Sequence, residues 1–415
     1  MAFGFFSLIR NFTLRDRQPW ATALLETWAG KPVTPDTAMQ VATVMACVRT
    51  VSQIIATLPV KVFETLPDGS RAVVADHPAS VLLRQTPNSE QTPAEFLEGM
   101  LACLLIYGNA YAHKTVSNGQ VRALTILMPE MVMVRRLDDG SIQYACADPK
   151  GRAEFSEDEI WHLKGFGFGG LLGLSPIRYG AQSLSTAIAA DEVAGRMFSN
   201  GMKPSGWLTY DGTLKPDQRE QARKALVEPY TGSGNAAKVG ILEAGFKWAS
   251  VSIPSVDAEL LASRRWHVEE LCRLFCNVPP ILIGHASQGQ TMWGTGVEQV
   301  MLGWLTTGLD PLLVKIEQSM RRALVPVAER SRLYVEFVRE GLLRADTVGR
   351  AEAYSKLLQV GAMTPNQIAD RENLPRFDGG DVHLVNSTLV PLHLAGQRPA
   401  RVQPAPGEPI PEGQP

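Results

Sequence analysis

Gly165-Phe-Gly167-Phe-Gly-Gly170 fits the spacing G-x-G-x-x-G. In that motif glycines let the backbone approach a pyrophosphate at the start of a helix. A strand pattern precedes the stretch and a helix pattern follows it. A dinucleotide fold must then continue into a parallel strand whose end carries an acidic residue for the ribose. The candidates here, Asp191 and Glu192, fall inside the following helix, and Ser175-Pro176 caps that helix five residues beyond the last glycine. The stretch also lacks the Lys-Ser/Thr pair of a P-loop. The favoured reading is a flexible glycine connection with no cofactor.

The remaining chemistry-bearing residues are no better organised. Cys272 and Cys276 stand four apart on what reads as one helix, with only His267 nearby, whereas zinc needs four converging ligands. The five cysteines (Cys47, Cys103, Cys146, Cys272 and Cys276) are odd in number and sit in apolar stretches. They are expected to be buried free thiols in a reducing cytoplasm. No Ser occupies a G-x-S-x-G elbow, and the seven histidines follow no metal spacing. His77 beside proline and His162 beside tryptophan read as structural, and Asp138-Asp139 as a solvated hairpin turn. These patterns specify no enzyme.

Composition narrows the classes further. The chain has 415 residues, 45% hydrophobic and 20% charged, with 40 basic against 42 acidic residues and a net charge of −2. Its length suggests two or three structural regions. A protein that grips DNA by neutralising phosphates carries a basic excess; a DNA partner here would be guided loosely. The apolar start, Met1 to Ile9, lacks a basic region and a cleavage site and makes a poor signal peptide. No run approaches the roughly 18 apolar residues that span a bilayer, so a soluble protein with no membrane partner is expected.

The elements follow from periodicity. A helix is expected from Pro35 to Leu58, with Val44, Val48, Val51 and Ile55 on one face and Pro59 ending it. A strand follows over Val60–Glu64, then a helix opened by Thr92-Pro93-Ala94-Glu95 and stopped at Gly108. From Ala110 to Lys164 the pattern becomes short strands, with hairpin signals at Asn118-Gly119 and Asp139-Gly140. One long helix is expected from Pro176 to about Asn200, carrying a small-residue stripe of Ala187, Ala190 and Ala194. Residues 203–254 read as strands and turns around one helix near Pro216, and a helix returns over Ser255–Asn277. Ile281–Gly296 reads as an exposed mobile loop. The helix Val297–Val325 should kink near Leu309 or Asp310, because Pro311 removes a hydrogen bond and clashes one turn back. A strand at Leu333–Val338, a helix over 346–360 and a short helix capped by Thr364 complete the pattern. The last 19 residues hold six prolines and are expected to be disordered. No internal repeat is found.

The order of these segments resembles the portal proteins (head–tail connectors) of tailed bacteriophages, particularly long-tailed phages with the common capsid fold. The likeness runs from Val41 to Asp381 through Ala46-Cys-Val-Arg49, Pro87-Asn88, Gly108-Asn109-Ala110-Tyr111, Gly173-Leu-Ser-Pro176 and Phe198-Ser-Asn-Gly201. It continues through Val278-Pro279-Pro280, Gly296-Val-Glu298, Asp310-Pro311, Thr364-Pro365-Asn366 with Arg371, and Asp378-Gly-Gly-Asp381. Two departures stand out: Cys276-Asn277 where the family often has glycine, and Gln367 where it usually has an acidic residue.

The resemblance implies an α+β portal fold with a β-rich wing, helical stem, small α/β clip, kinked channel helix and helical C-terminal region. It implies an N-terminal arm (1–34), wing (35–175), stem helix (176–202), clip (203–254), second stem helix (255–278), tunnel loop (279–296), channel helix (297–325), wing return and crown (326–396) and disordered tail (397–415). The tunnel loop would present Ser287, Gln288, Gly289, Gln290, Thr291, Met292 and Trp293. The channel helix would present Lys315, Gln318 and Arg322, and the motor-facing clip Lys215, Arg219 and Arg223. Twelve copies would form a ring in the virion, assembled in the host cytoplasm. Its partners would be the terminase large subunit, the major capsid or scaffolding protein, the head–tail adaptor and the double-stranded DNA passing through. Two other readings stand beside it. A different phage head–tail or tail ring component fits the helix–clip–helix–loop–helix order less well. A nucleotide-dependent enzyme using Gly165–Gly170 would show nucleotide binding in a thermal-shift assay.

Overall fold

Val44, Cys47, Val48, Val51 and Ile55 are all buried on one face of a helix, and Phe96, Met100, Leu101 and Leu104 are buried on a second. These two helices pack together and form the first part of the core. The computed structural model describes residues 27–148, 151–199, 206–210, 215–226, 246–250, 256–285, 295–339, 347–372 and 374–384. The chain divides into two compact units, residues 1–338 and 339–415.

The first unit begins with helices α1 (Pro35–Met39) and α2 (Ala42–Ala56), strands β1 (Val60–Thr65) and β2 (Arg71–Val73), and helices α3 (Pro78–Arg84) and α4 (Pro93–Tyr107). Six strands follow: β3 (Asn109–Ser117), β4 (Gln120–Leu127), β5 (Val132–Arg136), β6 (Ile142–Asp148), β7 (Gly151–Ser156) and β8 (Ile160–Lys164). Next come α5 (Pro176–Tyr179), α6 (Ala181–Ser199), β9 (Gly206–Tyr210), α7 (Pro216–Leu226), β10 (Phe246–Ser250) and α8 (Val256–Leu274). The unit ends with α9 (Thr295–Trp304), α10 (Asp310–Leu324) and β11 (Leu333–Phe337). The second unit contains α11 (Thr347–Gln359) and α12 (Pro365–Arg371). The sheets are β11-β1-β2, β4-β3-β8, β5-β6-β7 and β10-β9, and every strand pair among the described residues is antiparallel.

Several local signals act as expected. Thr92 and Glu95 close a reciprocal capping box, and α4 ends on Gly108 in the left-handed conformation at φ 73°. Asn118 and Gly119 both take positive φ in the β3–β4 hairpin, as a tight mirror-image turn requires. At the second hairpin only Gly140 does so; Asp139 instead accepts hydrogen bonds from the Ser141 amide and hydroxyl.

Four expected elements differ in detail. The single helix over Pro35–Leu58 is two helices, because Val41 is extended and tucks into the core beside Ala38. The helix expected from Pro176 breaks at Gly180, where a Cβ would collide with the Leu274 side chain of α8 and, at 2.9 Å, with the Pro176 carbonyl. The break lets α8 pack closely. Cys276 does not share a helix with Cys272: α8 ends at Leu274, and Cys276 and Asn277 both take positive φ, 54° and 50°. Asn277 tolerates that conformation; Cys276 adopts it at a steric cost.

The kink before Pro311 is a π-helical turn over Leu305–Leu309. Gly308 belongs to this turn, where a Cβ would run into the Cys276 carbonyl, and that carbonyl accepts a 2.9 Å hydrogen bond from the Trp304 indole. Close backbone approach and proline together set the irregularity. No helix among the described residues is long and apolar enough to cross a membrane.

Candidate functional site

The family-like motifs at Gly108-Asn109 and Gly173-Leu-Ser-Pro176, 65 residues apart by numbering, meet in space. Asn109 is fully buried. Its amide donates to the Gly173 carbonyl at 3.0 Å, and its side-chain oxygen accepts from the Gly173 amide at 2.7 Å. The Ser175 hydroxyl donates to the Ile106 carbonyl at 2.8 Å and also caps α5. Gly165 donates to the Gly108 carbonyl at 2.8 Å, and a Cβ at Gly165 would stand 2.9 Å from that oxygen. A Cβ at Gly173 or Gly108 would collide with backbone outright. The glycines around 165 therefore serve a crossing of three backbone segments. The strand before them, β8, is antiparallel to β3, which is not the arrangement of a dinucleotide fold.

A second pair of motifs meets in the second unit. Asn366 donates to the Phe377 carbonyl and accepts from the Phe377 amide, both at 3.1 Å, and its own amide donates to the Gly380 carbonyl. Gln367 stands where an acidic residue was expected from the resemblance. Its side chain accepts from the Thr364 amide, and the Thr364 hydroxyl accepts from the Gln367 amide, so the box closes without a charge.

Helix α10 carries the expected channel residues. Leu313, Ile316, Met320 and Leu324 are buried, and the helix packs on β8 and β11. Lys315, Gln318 and Arg322 lie exposed on the other side. Two of them are engaged within the chain: Lys315 donates to the Gly165 carbonyl at 3.0 Å, and Arg322 pairs with Glu157 at 2.5 Å. Lys215, Arg219 and Arg223 are exposed on or beside α7, and Arg223 binds Glu220 through two hydrogen bonds. The tunnel-loop residues Ser287, Gln288, Gly289, Gln290, Thr291, Met292 and Trp293 lie outside the described residues.

His162 is half-buried between Tyr144 and Asn109, at 3.2 and 3.0 Å. Burial, then Lys164 and Arg322, hold its pKa well below the usual histidine value. His77 caps α3 by accepting from the Ala79 amide and lies 3.1 Å from Glu329. Among the described residues no group of three or more His, Cys, Asp or Glu could hold a metal ion. The cysteines are free thiols, four buried and Cys276 half-buried. Cys47 and Cys272 approach to 3.8 Å, a contact between α2 and α8 that their spacing in sequence could not reveal.

Sequence reasoning also missed a cationic cavity of about 420 Å³ beside β8 and α10. Its residues come from β3, β5, β6, β8, α10 and the turns before β8 and after α10, so no local spacing marks it.

A family model described as "Phage portal protein" matches residues 42–373. The portal protein of Enterobacteria phage HK97 is 38% identical over 357 residues, 85% of this chain and 83% of that one. A probable portal protein of Streptomyces phage phiC31 is 29% identical over 387 residues, 89% of this chain and 82% of that one. Among solved structures, an HK97-family phage portal protein from Corynebacterium diphtheriae superposes with a TM-score of 0.56 at 18% identity, covering 77% of this chain and 100% of that one. A subunit from the neck of a native gene transfer agent particle, computed with C12 symmetry, has a TM-score of 0.55 at 21% identity, covering 85% and 98%. The fold is shared at this distance, and the sequence match spans most of the molecule: the chain belongs to the phage portal protein family.

Proposed function

We propose that this chain is one subunit of a closed ring, twelve copies around, set at one capsid vertex and traversed by double-stranded DNA during packaging and ejection. The observation that carries the reading is the match to portal proteins over residues 42–373. The likeness to a subunit of a gene transfer agent neck computed with C12 symmetry supports the copy number. Heterologous contacts that close on themselves build such rings.

In this reading residues 35–175 form the wing, and the helices within 176–202 and 255–278 form the stem. Residues 203–254, with β9, α7 and β10, form the clip that meets the terminase large subunit. Residues 279–296 narrow the tunnel, 297–325 line the channel, and 326–396 return to the wing and build the crown. The major capsid or scaffolding protein and a head–tail adaptor contact other surfaces, and the ring assembles in the host cytoplasm before it becomes part of the virion. The charge balance suits passage: with a net charge of −2 the chain has no overall basic excess to hold DNA by counterion release.

Native mass spectrometry and negative-stain microscopy test this directly. The expected result is rings of roughly half a megadalton with cyclic symmetry. Only monomers or dimers under every condition would overturn it.

A further inference from the structure

The cavity beside β8 and α10 is lined by five cations, Lys114, Arg136, Lys164, Arg322 and Arg330, against two carboxylates, Glu157 and Asp158. Glu157 is already bound to Arg322. The two lysines are poorly served. Lys114 is only 9% exposed, and its ammonium has one carbonyl contact, to Ala323 at 3.4 Å. Lys164 has a similar one, to Gly170 at 3.5 Å. Neither forms an ion pair among the described residues.

Their surroundings oppose the charge they carry. Burial, and then Arg330, lower the pKa of Lys114 despite the nearness of Asp158 and Glu157. Burial, Arg322 and Arg136 lower that of Lys164 despite Glu157. Desolvated positive charge without a partner is costly. A fold that gathers several such groups around an open space gains most when an anion enters it.

The donors suit a tetrahedral oxyanion. Arginine offers a planar fork and lysine a point charge, the two usual means of holding phosphate. Tyr144 also lines the space, as does His162, whose pKa burial holds well below the usual histidine value. A volume of about 420 Å³ falls within the ordinary range for small-molecule sites. Gly169 and Gly170, the end of the stretch that imitates a dinucleotide motif, also line it.

We propose that this cavity binds a phosphate-type oxyanion of two or more negative charges, supplied either as a free polyphosphate or by a nucleic-acid backbone. The residues that line the site all come from one chain.

The test is calorimetry on the purified full-length protein, in whatever assembly it adopts, titrated with inorganic pyrophosphate at constant ionic strength. The expected result is saturable binding of one pyrophosphate per chain. Arg136→Gln and Lys164→Met should each weaken it about tenfold or more, since each removes a charge-assisted contact. Lys356→Met, in the second unit, should leave it unchanged. Arg136 is exposed on β5 and its replacement removes no core contact, so this variant remains informative if Lys164→Met fails to fold. A short duplex that displaces pyrophosphate and is itself weakened by Arg136→Gln identifies the backbone as the source; pyrophosphate binding without displacement identifies the free ion. No saturable heat, or binding that both variants leave intact, would overturn the proposal.

Discussion

His162 shows how a residue that looks available for chemistry is committed to structure. Its two ring nitrogens meet Tyr144 and Asn109, and Asn109 in turn ties β3 to Gly173. Its pKa is lowered, so the native state keeps the ring neutral while the unfolded chain takes up a proton below about pH 6.5. The unfolded state therefore binds more protons on acidification, and stability falls as pH drops through that value. Below about pH 6.5 this one group should remove at most roughly 1.4 kcal/mol per pH unit. Urea midpoints measured from about pH 7 to about pH 5 should fall more steeply for the wild type than for His162→Gln. Equal slopes would mean that His162 titrates normally in the folded protein.

Helix α7 carries exposed charge that is paired within the chain only in part. Lys215 and Arg219 form no ion pair among the described residues, whereas Arg223 is held by Glu220. Charge on the rim of an interface acts mainly on encounter and salt dependence. Reversal of Lys215 and Arg219 to glutamate should weaken docking of the packaging ATPase by about tenfold at low salt while rings still form. Reversal of Arg223 instead sets it against Glu220 and disturbs the helix itself. A pull-down in which the double reversal binds the motor as the wild type does would remove α7 from the motor-facing surface. For α9 and α10, the kink was readable from Pro311, but its π-helical form depends on the Cys276 carbonyl that approaches Gly308 from another segment.

For the molecule as a whole, the boundary between the two compact units falls at Val338, inside the segment expected to run from 326 to 396 as one region. The reason is β11. It pairs with β1 from Val60↔Phe337 to Glu64↔Leu333, and Leu333, Val335 and Phe337 are buried. The Phe337 amide also donates to the Glu317 carboxylate on α10 at 2.8 Å. A chain ending at Val338 should keep the fold of the first unit. A chain ending at Pro326 loses the strand, bares the β1 edge and forfeits about 5 kcal/mol of apolar burial. Circular dichroism and soluble yield of the two truncations check this; equal yields would show β11 to be dispensable.

Short-range physics was legible in the chain itself. Thr92 with Glu95, Thr364 with Gln367, Asn118-Gly119 and the apolar spacing of α2 and α10 each act within a few residues, so their local patterns suffice to place helices, caps and a hairpin. The order of the motifs was equally legible, and with it the family. What they do was not. Asn109 with Gly173, Asn366 with Gly380, Cys47 with Cys272 and the five cations around one cavity are meetings of segments distant in sequence. Periodicity and spacing describe neighbours along the chain. Which carbonyl needs a glycine to pass, and which lysine lacks a carboxylate, depends on what packing brings alongside, and only the tertiary structure decides that.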